Sequence, residues 1–396
     1  MVLALIVEGL AFAALDLGID AIKSIDKGKP DQTIVELVIG SGSEEARMGG
    51  ATPAIALWND RGERVGQHGS LGKEGDGANP VYHISHNQGH SGSAQAEYMM
   101  MSNIDDDAIC ISAVYVTDDR VSTAFFGDLP KMCGMSWGHS NRAIGDAQQI
   151  PDCFWLDNDG TNGINAQALS VHLRDMVANT DRIAQYNERI DSLCGSTPRF
   201  SFWGDLLPDS LIPMFDPPLD YEKDSGNGGI GRDKDIDRVL DKQTFDKSVS
   251  MYRGPQFVKR QPLTNTSAIP GVAGVSIPDF MLKRRGTSSG PSARRKRSQR
   301  MSERLIVTPH AKHSAVELCN SETSWGPDEV SLTERMFCDM ETKSLYPLCK
   351  NGIEENCFDL EKKFLILPGG KTEQDDVVIH SRDLPLVKRY NTTEYW

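Results

Sequence analysis

The feature that most constrains this chain is the placement of its eight cysteines. Cys110, Cys133, Cys153 and Cys194 form one group, and Cys319, Cys338, Cys349 and Cys357 form another, with no cysteine in the long stretch between. An even count within each group is the pattern of two self-contained disulfide-bonded modules, and such modules belong to oxidising compartments. Each set of four permits three pairings, and spacing does not choose among them. Neither group contains a C-x-x-C pair, whereas structural zinc sites draw paired ligands from tight turns. Zinc is therefore disfavoured. Reduced structural thiols of a cytosolic protein stand as the other alternative.

The gap between the groups holds a second constraint. From Lys283 to Arg300 there are eight basic residues and no acidic one. The run contains Lys283-Arg284-Arg285 and Arg294-Arg295-Lys296-Arg297, spaced by Gly286-Thr287-Ser288-Ser289-Gly290-Pro291-Ser292. A Gly/Ser/Pro spacer has little apolar surface to bury and reads as an accessible linker. In an exported protein such basic clusters are cutting sites for a processing protease of the secretory pathway. In a nuclear protein the same run would be a localisation signal or a nucleic-acid patch; in a third reading it is a solvated linker with no further role. The cysteines favour processing. The net charge of −14 disfavours general nucleic-acid binding. Lys259-Arg260 and Lys388-Arg389 are further dibasic pairs, and Asn265 and Asn391 each open a glycosylation sequon that agrees with export.

The first 24 residues read as a signal peptide or an N-terminal helix. Val2 to Leu15 is apolar but interrupted by Glu8, and Ala11-Phe12-Ala13 offers a small-x-small cleavage pattern with no basic residue ahead of it. An amphipathic helix running on through Ile19 and Ile22 is the other reading. No window resembles a membrane-spanning helix.

Residues 30–220 are expected to form a β-rich, sandwich-like domain. Strand patterns occur at Thr33–Ile39, Ala54–Trp58, Val81–Ile84, Ala96–Met101, Ile109–Thr117 and Val121–Phe126, the last two joined by the turn Asp118-Asp119-Arg120. The 36 glycines and 20 prolines suit such a turn-rich, mainly β or α+β chain. Met176 to Leu193 carries a helical period. Residues 221–304 read as a polar, partly disordered linker, 305–367 as a small disulfide-rich module, and 368–396 as a flexible tail. Gly226 to Gly231 loosely follows a dinucleotide fingerprint, but no strand precedes it and no apolar helix follows, so a flexible loop is expected.

The stretches Asp106–Ile111, Trp155-Leu156-Asp157-x-Asp159-Gly160, Trp325-Gly326-Pro327-Asp328 and Phe337-Cys338-Asp339-Met340 resemble secreted proteins predicted from filamentous fungi, for which no activity is assigned. The resemblance spans most of residues 30–360. It implies compartment and processing and nothing about chemistry.

Three sets of residues could carry chemistry. Gly134-Met135-Ser136-Trp137-Gly138 matches G-x-S-x-G, the nucleophile elbow of serine hydrolases, with His139 or His172 as the base. The residues before it, including Pro130, make a poor central strand, so a disulfide-pinned turn at Cys133 competes with catalysis. His83, His86 and His90 lie close in sequence and could ligate a metal if the loop folds back, although solvated loop histidines are the simpler reading. Asp157 and Asp159, followed by Gly160, place hard oxygen ligands at alternate positions as calcium loops do, but the distal glutamate of an EF-hand is missing. No other cofactor is suggested. The expected protein is a non-enzymatic extracellular binding or effector-like protein whose ligand the sequence leaves open. A secreted serine hydrolase is the alternative and a nuclear basic-patch protein the third reading.

Overall fold

The computed structural model describes residues 29–42, 48–88, 95–145, 148–160, 163–164, 166–189, 191–204, 206–225, 229–239, 266–268, 276–278, 299–350, 352–366 and 390–396. The first 24 residues, Asn265, His90 and the basic clusters Lys283-Arg284-Arg285 and Arg294-Arg295-Lys296-Arg297 lie outside the described residues. The chain divides into two units, Met1–Gln256 and Phe257–Trp396. No helix among the described residues is long and apolar enough to cross a membrane.

The first unit is a β-sandwich. Its first sheet contains β1 (Gln32–Ile39), β4 (Val81–Ser85), β6 (Ile109–Thr117), β7 (Ser122–Phe126), β8 (Trp137–Gly138) and β9 (Cys153–Leu156). β1 lies between β4 and β6, and β6 pairs along its other edge with β9 at its start and β7 at its end. The second sheet runs β11 (Phe200–Trp203), β10 (Ala168–His172), β5 (Tyr98–Ser102), β2 (Ala54–Trp58), β3 (Arg64–His68). All these pairings are antiparallel. One apolar core holds Val35, Leu37 and Ile39 of the first sheet against Ile55, Leu57, Met99, Met101, Leu169 and Phe200 of the second.

The expected strands form, and β4 alternates cleanly, yet the central strands do not, and the structure gives the reason. The middle of each sheet is covered on its outer face as well. Val38, Ala113, Tyr115 and Phe126 bury against Ile144, while Trp58, Tyr98, Met100 and Trp203 bury against Leu206, Ile212 and Met214. A strand buried on both faces reads as a continuous apolar run. β6 also changes parity: Ile109 and Ile111 face the core, and so do Val114 and Val116. A bulge opposite Val38 and Ile39 supplies the odd residue, because Val38 pairs with Ala113 and Ile39 with Ile111. The β6–β7 turn closes as expected, with Asp118 Oδ1 accepting from the backbone of Arg120 and Val121 at 2.7 Å each.

The helical pattern within Met176–Leu193 yields α2 (Thr180–Glu188), capped by Asn179, whose side chain accepts from Arg182 N at 3.0 Å. α3 (Asp191–Cys194) follows.

The expected linker begins later than position 221. Tyr221 and Ile230 are buried with Val177, Phe215 and Leu219, and Asp233 is buried as well. Residues 221–225 and 229–239 are thus part of the first unit, because apolar side chains spaced among the charges find a surface to cover. Gly231 belongs to this packing, since a Cβ there would meet the carbonyl oxygen of Glu222 at 2.8 Å.

The second unit is built on a five-stranded sheet ordered β15 (Ser344–Pro347), β14 (Met336–Asp339), β13 (Asp328–Ser331), β12 (Arg304–Thr308), β18 (Thr392–Tyr395). A hairpin of β16 (Cys357–Asp359) and β17 (Phe364–Ile366) adds Phe358 and Leu365 to a core of Leu305, Val307, Val330 and Phe337. α4 (Ala315–Asn320) is capped by Ser314, which accepts from Glu317 N at 3.0 Å. The expected flexible tail is corrected at its end, where β18 pairs in parallel with β12. β-branched threonines and a buried glutamate give that segment its strand character.

A short repeat shapes the hairpins of this unit. Ser331-Leu-Thr-Glu-Arg335, Asp339-Met-Glu-Thr-Lys343 and Asp359-Leu-Glu-Lys-Lys363 each turn a hairpin and end in a basic residue at positive φ (52°, 53° and 59°). In the last two the leading aspartate accepts from two backbone N–H groups of the turn.

All eight cysteines are oxidised. Cys110 bonds Cys153 and Cys133 bonds Cys194; Cys319 bonds Cys338 and Cys349 bonds Cys357. The pairing is confined to each group, so no disulfide bridges the basic run.

Candidate functional site

A concentration of buried ionisable groups lies at one end of the second sheet of the sandwich. β10 ends at His172, and a 3₁₀ turn at Leu173–Met176 follows. That tight turn brings Asp175 back, so that its Oδ2 lies 2.9 Å from His172 Nδ1. Tyr98, paired with His172 across β5 and β10, lays its ring against the imidazole at 4.5 Å between centroids.

Three further segments converge on Asp175. Tyr186 of α2 donates to Asp175 Oδ1 at 2.7 Å, and Tyr221 donates to the same oxygen at 2.6 Å. Arg199, just ahead of β11, reaches Asp175 Oδ1 at 3.0 Å and Asp233 Oδ2 at 2.7 Å through one nitrogen, and the carbonyl of Asp235 at 2.7 Å through another. Asp175 and Arg199 are completely buried (0% exposed). Such charges persist in a dry interior only when paired and hydrogen-bonded, and here they are both.

The electrostatics follow from that pairing. Burial works to raise Asp175, but the charges of Arg199 and His172 and the bonds it accepts outweigh burial and hold it well below the usual carboxylate range. Asp233 moves upward, through burial first and the neighbouring Asp175 charge, although Arg199 opposes both. Arg199 neutralises one carboxylate fully, and the second is the surplus charge. Burial raises the phenols of Tyr186 and Tyr221 well above their ordinary value, and Asp175 adds to the effect.

A histidine oriented by an aspartate is the arrangement of a general base. Here the dyad is closed over: His172 is 4% exposed, and its ring contacts are Asp175, Tyr98 and Tyr221. Ser136 is not among them. A depression beside the turn that follows His172, bordered by Thr33, Asp118, Thr123 and Arg174, has room for about one water molecule.

The G-x-S-x-G match sits in the opposite order of elements from a nucleophile elbow. α1 (Asp128–Met132) precedes the turn, Gly134 takes φ 90°, and β8 follows, so the chain runs helix–turn–strand. An elbow runs strand–turn–helix, which is what lifts its serine out of the sheet. Ser136 is buried, and its carbonyl accepts from Trp155 N at 2.8 Å. His139 is buried too, with Nε2 3.9 Å from Asp152 Oδ1 and its ring edge-on to Trp137. Asp152 also takes Lys131 Nζ at 2.6 Å, and that ammonium sits 3.7 Å over the Trp137 ring. Cys133–Cys194 pins the turn to α3, as the turn reading expected.

The remaining candidates are dispersed. Asp157 is buried and its backbone N–H donates to the Ala166 carbonyl, while Asp159 is exposed. His83 projects from the exposed face of β4, and His86 Nε2 meets Thr33 Oγ1 at 2.8 Å. Among the described residues no group of three or more His, Cys, Asp or Glu is placed to hold a metal ion. Asn391 is exposed, and its Nδ2, the atom a glycan would occupy, donates to Glu303 at 2.7 Å.

His172 alone of the buried cluster drew attention in the sequence. Asp175 was within reach of a spacing argument, being three residues on, but Tyr186, Arg199, Tyr221 and Asp233 come from separate segments that only the fold brings together. Compared with known proteins, the chain matches no family model and no curated protein.

Proposed function

We propose that this is a secreted, proteolytically processed extracellular protein that acts by binding rather than by catalysis. The observation that carries the reading is the oxidation of every cysteine into four disulfides confined to two groups on either side of the basic run. Disulfides persist in oxidising compartments, which also favours export over the nuclear reading of the basic residues. A cut between the groups leaves two polypeptides, each holding its own crosslinks. The processing protease of the secretory pathway is the partner this reading requires.

The binding reading draws support from the placement of the reactive groups. His172, Asp175 and Arg199 tie together four segments of the sandwich, and the helix-first turn holds Ser136 inside. Their burial serves cohesion, leaving the loops of the sandwich and the small crosslinked unit as the surfaces available to an extracellular ligand. The test is an activity screen on ester, glycan and peptide substrates, using protein purified from culture medium alongside Ser136→Ala. No turnover above buffer in either protein is expected. Turnover by the native protein that Ser136→Ala abolishes would establish the serine hydrolase instead. Calcium binding by Asp157 and Asp159 is tested in the same preparation by thermal unfolding with and without millimolar calcium.

A further inference from the structure

The last seven residues of the chain are bound to the second unit in the manner of a peptide ligand. β18 pairs in parallel with β12 in the register Arg304–Thr392, Leu305–Thr393, Ile306–Glu394 and Val307–Tyr395. Among the described residues the anchoring contacts of this segment run from Tyr390 to Trp396. Tyr390 OH donates to Asp328 Oδ2 at 2.9 Å, and its ring packs edge-on against Phe358. Asn391 N donates to the Glu303 carbonyl at 2.8 Å, and Trp396 N to the Val307 carbonyl at 3.0 Å. The Trp396 ring lies 5.3 Å from that of His313. Between these ends Glu394 is buried and accepts from Arg304 Nε at 2.9 Å, with a second contact from the same guanidinium.

We propose that the edge of β12 is a strand-acceptor site whose occupant is this C-terminal segment, and that it binds the same sequence as a free heptapeptide. Three observations carry it. Among the described residues the strand sits at the rim of the sheet and pairs with β12 alone. Strand addition of this kind draws affinity from the main-chain ladder and specificity from side-chain anchors, and here the anchors are a buried ion pair flanked by two aromatic rings. The dibasic pair Lys388-Arg389 immediately precedes Tyr390. Hydrolysis of the Arg389–Tyr390 amide, with water supplying the new carboxylate on Arg389 and the ammonium on Tyr390, cuts the chain immediately ahead of this segment. That cut rests on the processing reading above; the acceptor property does not.

The experiment uses a synthetic, fluorescently labelled peptide of residues 390–396 and the full chain carrying an inserted site for a sequence-specific protease between residues 370 and 388. After folding and cutting, the C-terminal fragment is expected to co-elute with the protein under native conditions and to exchange with the labelled peptide. A peptide carrying Glu394→Gln should bind roughly tenfold to a hundredfold more weakly, the range for losing a charged hydrogen bond. Arg304→Glu in the protein should abolish binding of the native peptide and restore it for a peptide carrying Glu394→Arg. A second protein ending at residue 389 should bind the labelled peptide directly. Loss of the fragment on cutting, with neither protein binding the labelled peptide, would overturn the proposal. Binding indifferent to both charge changes would overturn the assigned anchor. Mass mapping of the medium-purified chain separates this from the processing reading, because the peptide binds or fails to bind whether or not Arg389–Tyr390 is ever cut in the cell.

Discussion

Replacing Arg199 by methionine tests the buried cluster most sharply. The guanidinium lies within 3.0 Å of Asp175 Oδ1, Asp233 Oδ2 and Tyr186 OH, and donates to the Asp235 carbonyl at 2.7 Å. Methionine fills similar space but donates nothing. Tyr221 still donates to Asp175 and Tyr186 can turn its one hydroxyl proton to Asp233, but a phenol brings no positive charge. Asp175 and Asp233 would then share a dry pocket with no cation between them. Removing one partner from a buried ion pair costs about 3–5 kcal/mol, largely the cost of the charge left behind. For a unit of this size that lowers Tm by roughly 6–20 °C. Arg199→Lys should fall between, since an ammonium cannot span donors to both carboxylates and the carbonyl in one plane. The assay is urea and thermal unfolding followed by near-ultraviolet circular dichroism on protein with its disulfides intact. A change under about 0.5 kcal/mol for Arg199→Met, the scale of an ordinary surface substitution, would refute the claim that this cluster holds the segments together.

Other expectations follow from the same geometry. Asp175 is depressed in the folded state, so its contribution is fully present above the ordinary carboxylate pKa and is lost as pH falls below about 4; Asp175→Asn should flatten the acid limb of a stability–pH profile. Asp233, raised when folded, acts in the opposite sense, so Asp233→Asn should be less harmful at neutral pH than Asp175→Asn. Replacing both Cys133 and Cys194 by serine, which opens a 61-residue separation, should cost about 4 kcal/mol, against about 2.5 kcal/mol for Cys349 and Cys357 with a separation of 8, readable as denaturation midpoints. Lys343→Gly should be milder than its contacts suggest, because glycine accepts the φ of 53° although the ammonium's bonds to the carbonyls of Leu318 and Ser324 are lost; Lys343→Ala loses the same bonds and keeps the strain, so it should be the less stable of the two.

How far the sequence spoke depended on whether a signal was local. Strand patterns such as Ala54–Trp58 and Ile109–Thr117 matched the structure residue for residue, because β-branched and aromatic runs bounded by turn residues encode themselves. The strands Arg64–His68 and Ala168–His172 were not legible. The first is mixed in polarity, and the second takes its place only by pairing with β5 and β11. The boundary at 221 was misplaced because a few apolar residues, Tyr221 and Ile230 among them, decide the packing of a segment that is acidic on average. The disulfide partners could not be read, since they depend on which strands become neighbours. The Ser136 motif shows the reverse hazard: a short pattern matched, while the elements around it run in the wrong order to use it.

Intact mass of the protein from eukaryotic culture medium, measured with and without reductant and with termini mapped, tests the central claim most directly. The account predicts ends at Arg285 or Arg297, eight cysteines without a free thiol, and two separate polypeptides even before reduction, since no disulfide spans the basic run. A single uncut chain retained inside the cell with alkylatable thiols would contradict it, and so would a disulfide joining the two pieces.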